Sequence, residues 1–416
     1  MKDEKRAPKL RFKGFTDDWE QCKLGDVFVE RNQKTVADKN YPLCSFIAHK
    51  GVVPKAKYDR SFLVKSDDKK YKRTELNDFI YSSNNLETGS IGLNKFGNAT
   101  ISPVYSVFMV KGNSEFIAGL ATTHRFIYEM IRFRQGVVYG QWRIHESDFL
   151  KIKYYIPQVL EQEEIGNLLS ELDRTITLHE EKKHQLERLK RALLQKMFAD
   201  KSGYPAVRFE GFDEVWKHQK FSDIVKGLQN NTLSRSELNY ECGTVKNIHY
   251  GDILTKFGEF IDASKTSLPY ISDNTKADKF EKSFLKDGDI VIADTAEDDT
   301  VGKCVEIQGS EHLKISAGLH TIACRPKQQY GSKYLGYYFN SPVYHNQLHP
   351  LMQGIKVTSI SKSAIQNTDV HIPQSVAEQS KIGDVLSKLD SLISLNQREV
   401  KKLSIIKQSL LQKMFI

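Results

Sequence analysis

The chain has 416 residues, 39% hydrophobic and 27% charged, with a net charge of +9 and a pI of about 9.0. That length carries two to three cored domains, and the balance is that of a soluble globular protein with a lean toward polyanionic partners. No run approaches the ~18 apolar residues of a membrane-spanning helix, which excludes a helical membrane span. The five cysteines, Cys22, Cys44, Cys242, Cys304 and Cys324, are odd in number and form no C-x-x-C pair. They read as reduced thiols of a cytoplasmic protein rather than as disulfides or zinc ligands. Met1 to Arg6 have no apolar stretch behind them, so no export signal is expected.

In chain order, the first recognisable segment is Pro8-Lys9-Leu10-Arg11-Phe12-Lys13-Gly14-Phe15, with Trp19, Lys23 and Asp26 behind it. It recurs as Pro205-Ala206-Val207-Arg208-Phe209-Glu210-Gly211-Phe212 with Trp216, Lys220 and Asp223. Internal repetition of this kind sets the architecture before any secondary structure is assigned. Weaker matches follow: Asn77 to Tyr81 with Gly288 to Ile292, Ile91-Gly92 with Val301-Gly302, and Thr100 to Ser102 with Lys314 to Ser316. Short β-type runs are expected at Asp78 to Tyr81, Ile101 to Val110, Ile290 to Ala293 and Leu319 to Cys324. Helical stretches are expected at Glu115 to Arg134 and Lys333 to His349.

Basic groups gather at Lys69, Lys70, Lys72 and Arg73. Arg132 and Arg134 lead into Gly140, Gln141, Trp142 and Arg143, and Gly354, Lys356, Thr358 and Ser359 occupy the matching place in the second copy. Glycine, amide, hydroxyl and cationic groups together suit a loop that enters a groove and reads base edges. Each loop precedes a matched segment, Ile144 to Phe149 or Ile360 to Ile365, twelve residues ahead of an Ile-Pro-Gln.

Two long helical patterns follow those tripeptides. Ile165, Leu172, His179, Leu186 and Leu193 fall seven apart, as do Ile382, Leu389, Asn396, Leu403 and Leu410. This is a coiled-coil pattern over about five heptads, and ~38 residues of helix make a rod of about 57 Å. Leu168, Leu169, Ile176, Leu189 and Met197 flank the first seam; Val385, Leu386, Leu392, Ile393, Val400, Ile406 and Met414 flank the second. Pro157 and Pro373 mark the starts, Ser375 with Glu378 reads as a capping box, and Glu161, Glu163 and Glu164 suit the positive end of the helix dipole.

The chain therefore reads domain, rod, domain, rod, with boundaries at 1–157, 158–199, 200–373 and 374–416. If both units fold alike, the C-terminus returns to the N-terminus, the arrangement is circular and pseudo-twofold, and the rods run antiparallel. His179 and Asn396 are then expected to meet at mid-rod and fix register. The fold class is α+β: two similar globular domains joined by two long antiparallel coiled-coil helices.

Catalytic signatures are absent. There is no P-loop, no G-x-S-x-G elbow and no H-E-x-x-H. Asn340-Ser341-Pro342-Val343 and Ser102-Pro103-Val104-Tyr105 lack the second proline of an amino-methyltransferase motif, and His145 beside Glu146 reads as a loop residue.

The paired P-x-[LV]-R-F-x-G-F…W segments, the I-P-Q…E-Q…I-G…L-D rods ending L-L-Q-K-M-F, and the diverged centres resemble the specificity subunits of type I restriction–modification systems over the whole chain. The resemblance implies two target-recognition domains, each binding one half of an asymmetric split target in double-stranded DNA. It implies that the helices set the spacing and dock modification subunits, expected to be two. Restriction subunits join through that core. It implies no catalytic residue, metal or cofactor on this chain; S-adenosylmethionine, ATP and Mg would belong to the partners. A structural coiled-coil scaffold and a DNA-modifying enzyme with cryptic motifs are the alternatives.

Overall fold

The computed structural model describes residues 6–55, 69–137 and 141–416. It divides into two compact units, one of residues 1–180 with 397–416 and the other of residues 181–396. Two long helices, Val159–Lys196 and Val376–Met414, each contribute one part to either unit.

In the first unit an antiparallel sheet runs in the order Phe28–Glu30, Ser106–Val110, Phe79–Tyr81, Ile91–Leu93. A second sheet joins Lys34–Thr35, Tyr71–Thr74 and Ala99–Ile101. The core is aromatic: Phe28, Phe79, Tyr81, Phe108 and Phe149 pack around one another with ring centroids from 4.6 to 6.4 Å apart. Aromatic rings at such distances bury much area at little conformational cost.

The second unit repeats this plan. Its main sheet runs Val225–Gly227, Thr321–Pro326, Ile290–Ala293, Cys304–Gln308, then adds a parallel edge strand, Phe260–Asp262. Its second sheet is larger, joining Leu238–Asn239, Tyr270–Ile271, Lys246–Ile248 and Ile315–Ala317. The matched strands of the sequence repeat, Phe79–Tyr81 and Ile290–Ala293, lie in the interior of their sheets. Asn77 (φ 66°) and Gly288 (φ 84°) both adopt the left-handed turn that leads into them.

The repeated lead-in motif has a specific physical task. Arg11 donates to both oxygens of Glu161 at 2.7 Å, and Trp19 Nε1 donates to the same carboxylate at 3.2 Å. Arg208 and Trp216 treat Glu378 the same way, at 2.7, 3.0 and 3.4 Å. Both glutamates sit in the first turn of a long helix and are almost wholly buried. The Glu161 bond raises the affinity of Arg11 for its proton, and the Glu378 bond does so for Arg208. Each lead-in strand also pairs with the strand that leaves the unit, Glu20–Lys23 with Lys153–Ile156 and Lys217–Lys220 with Asp369–Ile372. Two polar links thus fix the start of each helix against its own unit.

The Glu378 arrangement corrects one expectation. Glu378 N–H does donate to Ser375 Oγ at 3.4 Å. The carboxylate, however, serves Arg208 and Trp216 instead of closing a capping box. Helix expectations also shift. Glu115 to Arg134 holds two helices, Ser114–Ala121 and His124–Ile131, because Thr123 caps the second with a bond from Phe126 N–H. Lys333 to His349 breaks at Ser341-Pro342 for the same reason. Ile101 to Val110 is two strands around a turn whose Val104 is exposed.

Within the first unit, Asp173 pairs with Lys407, and Leu169 and Leu411 both lie over Gly119. Within the second, Lys190 pairs with Asp390 at 2.6 Å, and Met197 and Leu193 share a core with Ile382 and Leu386. In both, numbers along one helix rise as those along the other fall. Gly166 and Gly383 permit close approach: a Cβ there would lie 2.3 Å from Asn113 Oδ1 and 2.4 Å from Ser332 O. Also within the first unit, Leu10 N–H donates to Lys413 O at 2.9 Å and Tyr154 Oη to Ile416 O at 2.8 Å. Trp19 packs edge-on against Phe415.

Candidate nucleic-acid interface

In the first unit the predicted reading residues fall on a hairpin, Gln135–Val137 against Gln141–Arg143, with Gly136 opposite Trp142. Gln141, Trp142 and Arg143 are all exposed, the indole by 50%. Gly140 lies outside the described residues. The hairpin is held from beneath by the loop after Tyr81: Trp142 N–H donates to Asn84 Oδ1 at 2.6 Å and Ile144 N–H to Ser83 Oγ at 3.0 Å.

Not every predicted cation is available to a ligand. Lys72 is 4% exposed and paired with Glu146 at 3.2 Å. Its strand delivers it to an interior carboxylate, so it is removed from the surface cluster. Burial pushes the Glu146 carboxyl up, but the N–H bond it accepts, Lys72 and Ser106 outweigh that and leave it below the usual range. Arg134 grips both oxygens of Glu87 at 2.6 Å, and this bond holds Glu87 below its ordinary pKa. Arg73 lies over the Tyr41 ring and bonds Glu75 at 2.8 Å. Lys69, Lys70, Arg132 and Arg143 remain exposed, Arg132 in a surface pair with Glu129 and Arg143 3.5 Å from Glu146. His145 stands just ahead of the short helix Glu146–Phe149.

In the second unit Gln353 and Ser359 exchange backbone hydrogen bonds of 2.9 and 2.8 Å, closing a tight loop. Gly354 has φ 114°, and a Cβ there would lie 2.0 Å from Val357 O, so only glycine fits. Ile355 at the tip is fully exposed, and Lys356 beside it is exposed too. Thr358–Ser359 pair with Thr295–Ala296, and Ile360 N–H donates to Asp294 O at 2.8 Å.

Both predicted reading loops therefore rest on the segment that follows the matched central strand. Sequence reasoning missed that segment: Ser83, Asn84 and Glu87 in one unit, Asp294 and Thr295 in the other. The signal available was its position, bracketed by the matched pairs Asn77 to Tyr81 with Gly288 to Ile292 and Ile91-Gly92 with Val301-Gly302. The segment itself differs completely, amide-rich in one unit and carrying exposed Glu297, Asp298 and Asp299 in the other.

The ten seam residues divide by depth. Ile165, Leu186, Ile382, Leu389 and Asn396 are buried; Leu172, His179, Leu193, Leu403 and Leu410 are partly so. Leu189, Leu392 and Ile406, expected to flank the seam, are instead exposed. No group of three or more His, Cys, Asp or Glu side chains suited to a metal ion occurs among the described residues.

One α+β scaffold is built twice in this chain, with unlike exposed loops at the same place in each copy, which defines a duplicated two-domain fold. The chain matches the family model described as the type I restriction modification DNA specificity domain over residues 16–188 and again over 214–404, and it belongs to that family. It is 20% identical over 278 residues to the type I restriction enzyme MjaVIII specificity subunit of Methanocaldococcus jannaschii, a match spanning 64% of this chain and 62% of that relative. Its fold is similar to the crystal structure of a type I restriction-modification S subunit from M. genitalium, with a TM-score of 0.56 and 14% identity over 99% of both chains. It also matches the HsdS subunit of Thermoanaerobacter tengcongensis at a TM-score of 0.44 and 17% identity, over 95% of this chain and 96% of that one.

Proposed function

We propose that this chain is the non-catalytic DNA-recognition subunit of a type I restriction–modification complex, each unit reading one half of an asymmetric, interrupted target. The observation that carries this is the duplication itself: two family matches on one chain, one per unit, with reading loops that differ in chemistry on the same frame. In the first unit Gln141, Trp142 and Arg143 would contact bases, with Lys69, Lys70 and Arg132 on phosphates. In the second, Gly354, Lys356, Thr358 and Ser359 would do so. The neighbouring Glu297, Asp298 and Asp299 repel phosphates but can accept from cytosine amino groups.

The two long helices serve as ruler and dock. They form an antiparallel coiled coil in a circular, pseudo-twofold arrangement, with domain boundaries at residues 157, 199 and 373. Supporting this, the sequence repeat carries Lys190 onto Lys407 and Asp173 onto Asp390, so the two interhelix ion pairs are one pair with its roles exchanged. The repeat likewise carries the exposed Leu178 onto the exposed Leu395, and Leu189 onto Ile406. Duplicated apolar groups left open on the helices suit two like partners, the modification subunits. Restriction subunits join through that core, in the cytoplasm. S-adenosylmethionine, ATP and Mg are bound by those partners.

Methylome sequencing of a host carrying this chain with its modification subunit tests the reading. The expected result is one bipartite, asymmetric motif. A continuous or palindromic motif, or no methylation, rejects it.

A further inference from the structure

The first unit carries a cleft of about 1010 Å³ between the strand Ile91–Leu93, the helix Ser114–Ala121 and the two long helices. Its lining includes Lys95, Gly119, Ser170, Asp173 and Lys407. The second unit supplies a measure of what belongs there, because the helix Ser114–Ala121 and both long helices have counterparts in it.

Matched contacts set the register. Asn113 N–H donates to Gln162 Oε1 at 3.3 Å, and Gly331 N–H donates to Gln379 Oε1 at 2.7 Å. Phe116 packs on Trp19 and Phe415; Tyr334 packs on Trp216 and Phe198. Thr123 and Ser341 each cap the next helix. This register places Gly119 where the second unit has Tyr337.

Tyr337 is buried, and its hydroxyl donates to Asp390 Oδ2 at 2.5 Å. Lys190 Nζ lies 5.5 Å from the ring centroid, and Phe260 packs against the ring at 6.1 Å. Asp390 and Lys190 are the repeat mates of Asp173 and Lys407, which face the cleft. Phe260 comes from the parallel edge strand, whereas in the first unit Ile91–Leu93 is the last strand of its sheet. The first unit thus keeps the carboxylate and the ammonium group that hold a phenol, without the phenol or the strand that backs it.

We infer that this cleft receives a tyrosine side chain presented by a partner subunit, its hydroxyl on Asp173 and its ring beneath Lys407. The inference rests on the multisubunit reading above for the source of the tyrosine. The slot itself does not depend on that reading.

Two measurements decide it. Saturation-transfer NMR on the full chain uses p-cresol, the tyrosine side chain alone. Saturable binding near 1 mM is expected for so small a ligand. Toluene in place of p-cresol, or Asp173→Ala in the chain, should weaken it about tenfold through loss of a charge-assisted hydrogen bond. Asp173 is exposed on its helix, so that variant keeps its fold. In parallel, a benzoylphenylalanine photocrosslinker at Ser170 is placed in the chain co-expressed with its modification subunit. A crosslink to a tyrosine-bearing segment of that subunit is expected. Absence of saturable p-cresol binding, or a value unchanged by Asp173→Ala, overturns the slot. A crosslink within the chain itself, or to a partner segment lacking tyrosine, overturns the partner. Failure of the modification subunit to co-purify counts against the proposed function instead, and the p-cresol measurement then decides the slot alone.

Discussion

Removing Arg208 tests whether the duplicated lead-in motif is a clamp or a decoration. Glu378 is 1% exposed and accepts from Arg208 Nε and Nη2 at 2.7 and 3.0 Å and from Trp216 Nε1 at 3.4 Å. Arg208→Ala leaves that carboxylate with one long bond and no cation. Stripping one partner from a buried pair costs about 3–5 kcal/mol. Arg208→Ala with Glu378→Gln, which removes the stranded charge as well, should therefore lose less than Arg208→Ala alone. Urea unfolding followed by Trp216 fluorescence, in a background with Trp19 and Trp142 replaced by Phe, reads this directly. A loss below about 1 kcal/mol, or a double variant no more stable than Arg208→Ala, refutes the argument that an uncompensated carboxylate is the cause.

Three further outcomes are expected. Trp142→Ala with Arg143→Ala should relax or weaken methylation at one half-site and spare the other, as read by motif mapping; unchanged specificity removes the hairpin from the interface. Gly354→Ala forces a Cβ into Val357 O, so it should alter the other half-site with only a small change in melting temperature, the loop being peripheral to the core. Glu306 is buried beneath the helix Tyr334–Asn340, and burial pushes its carboxyl up to about 7. The folded second unit then holds a proton that the unfolded chain releases near pH 4.3, so its stability falls as pH rises from about 4.3 to about 7. Thermal unfolding across that window should show the decline, and Glu306→Gln should flatten it.

Much of the scaffold was legible because repeated residues do repeated work. Arg11, Trp19 and Glu161 recur as Arg208, Trp216 and Glu378 because each set seals a helix start. The strand Ile290–Ala293 was legible as an unbroken apolar run, as a strand covered on both faces must be. The helix breaks at Thr123 and Ser341 were not anticipated, since a hydroxyl cap interrupts a helical pattern without disturbing its apolar spacing. Burial of Lys72 was hidden for another reason. Its partner Glu146 lies far along the chain, and a cation's neighbours in sequence say nothing about a distant carboxylate. The supports of the two predicted reading loops were equally hidden, because Asn84 and Asp294 act through a side chain in one unit and a backbone carbonyl in the other.

The first unit completes its core with Met414 and Phe415, contributed by the segment 397–416. Synthesis proceeds at about 5–20 residues per second, so Trp19 and Phe116 wait on the order of tens of seconds for the ring that covers them. During that interval the whole second unit emerges between the two halves of the first. The nascent N-terminal half therefore exposes an aromatic surface that a chaperone can hold, and it is the segment 397–416 that commits this unit to its native state.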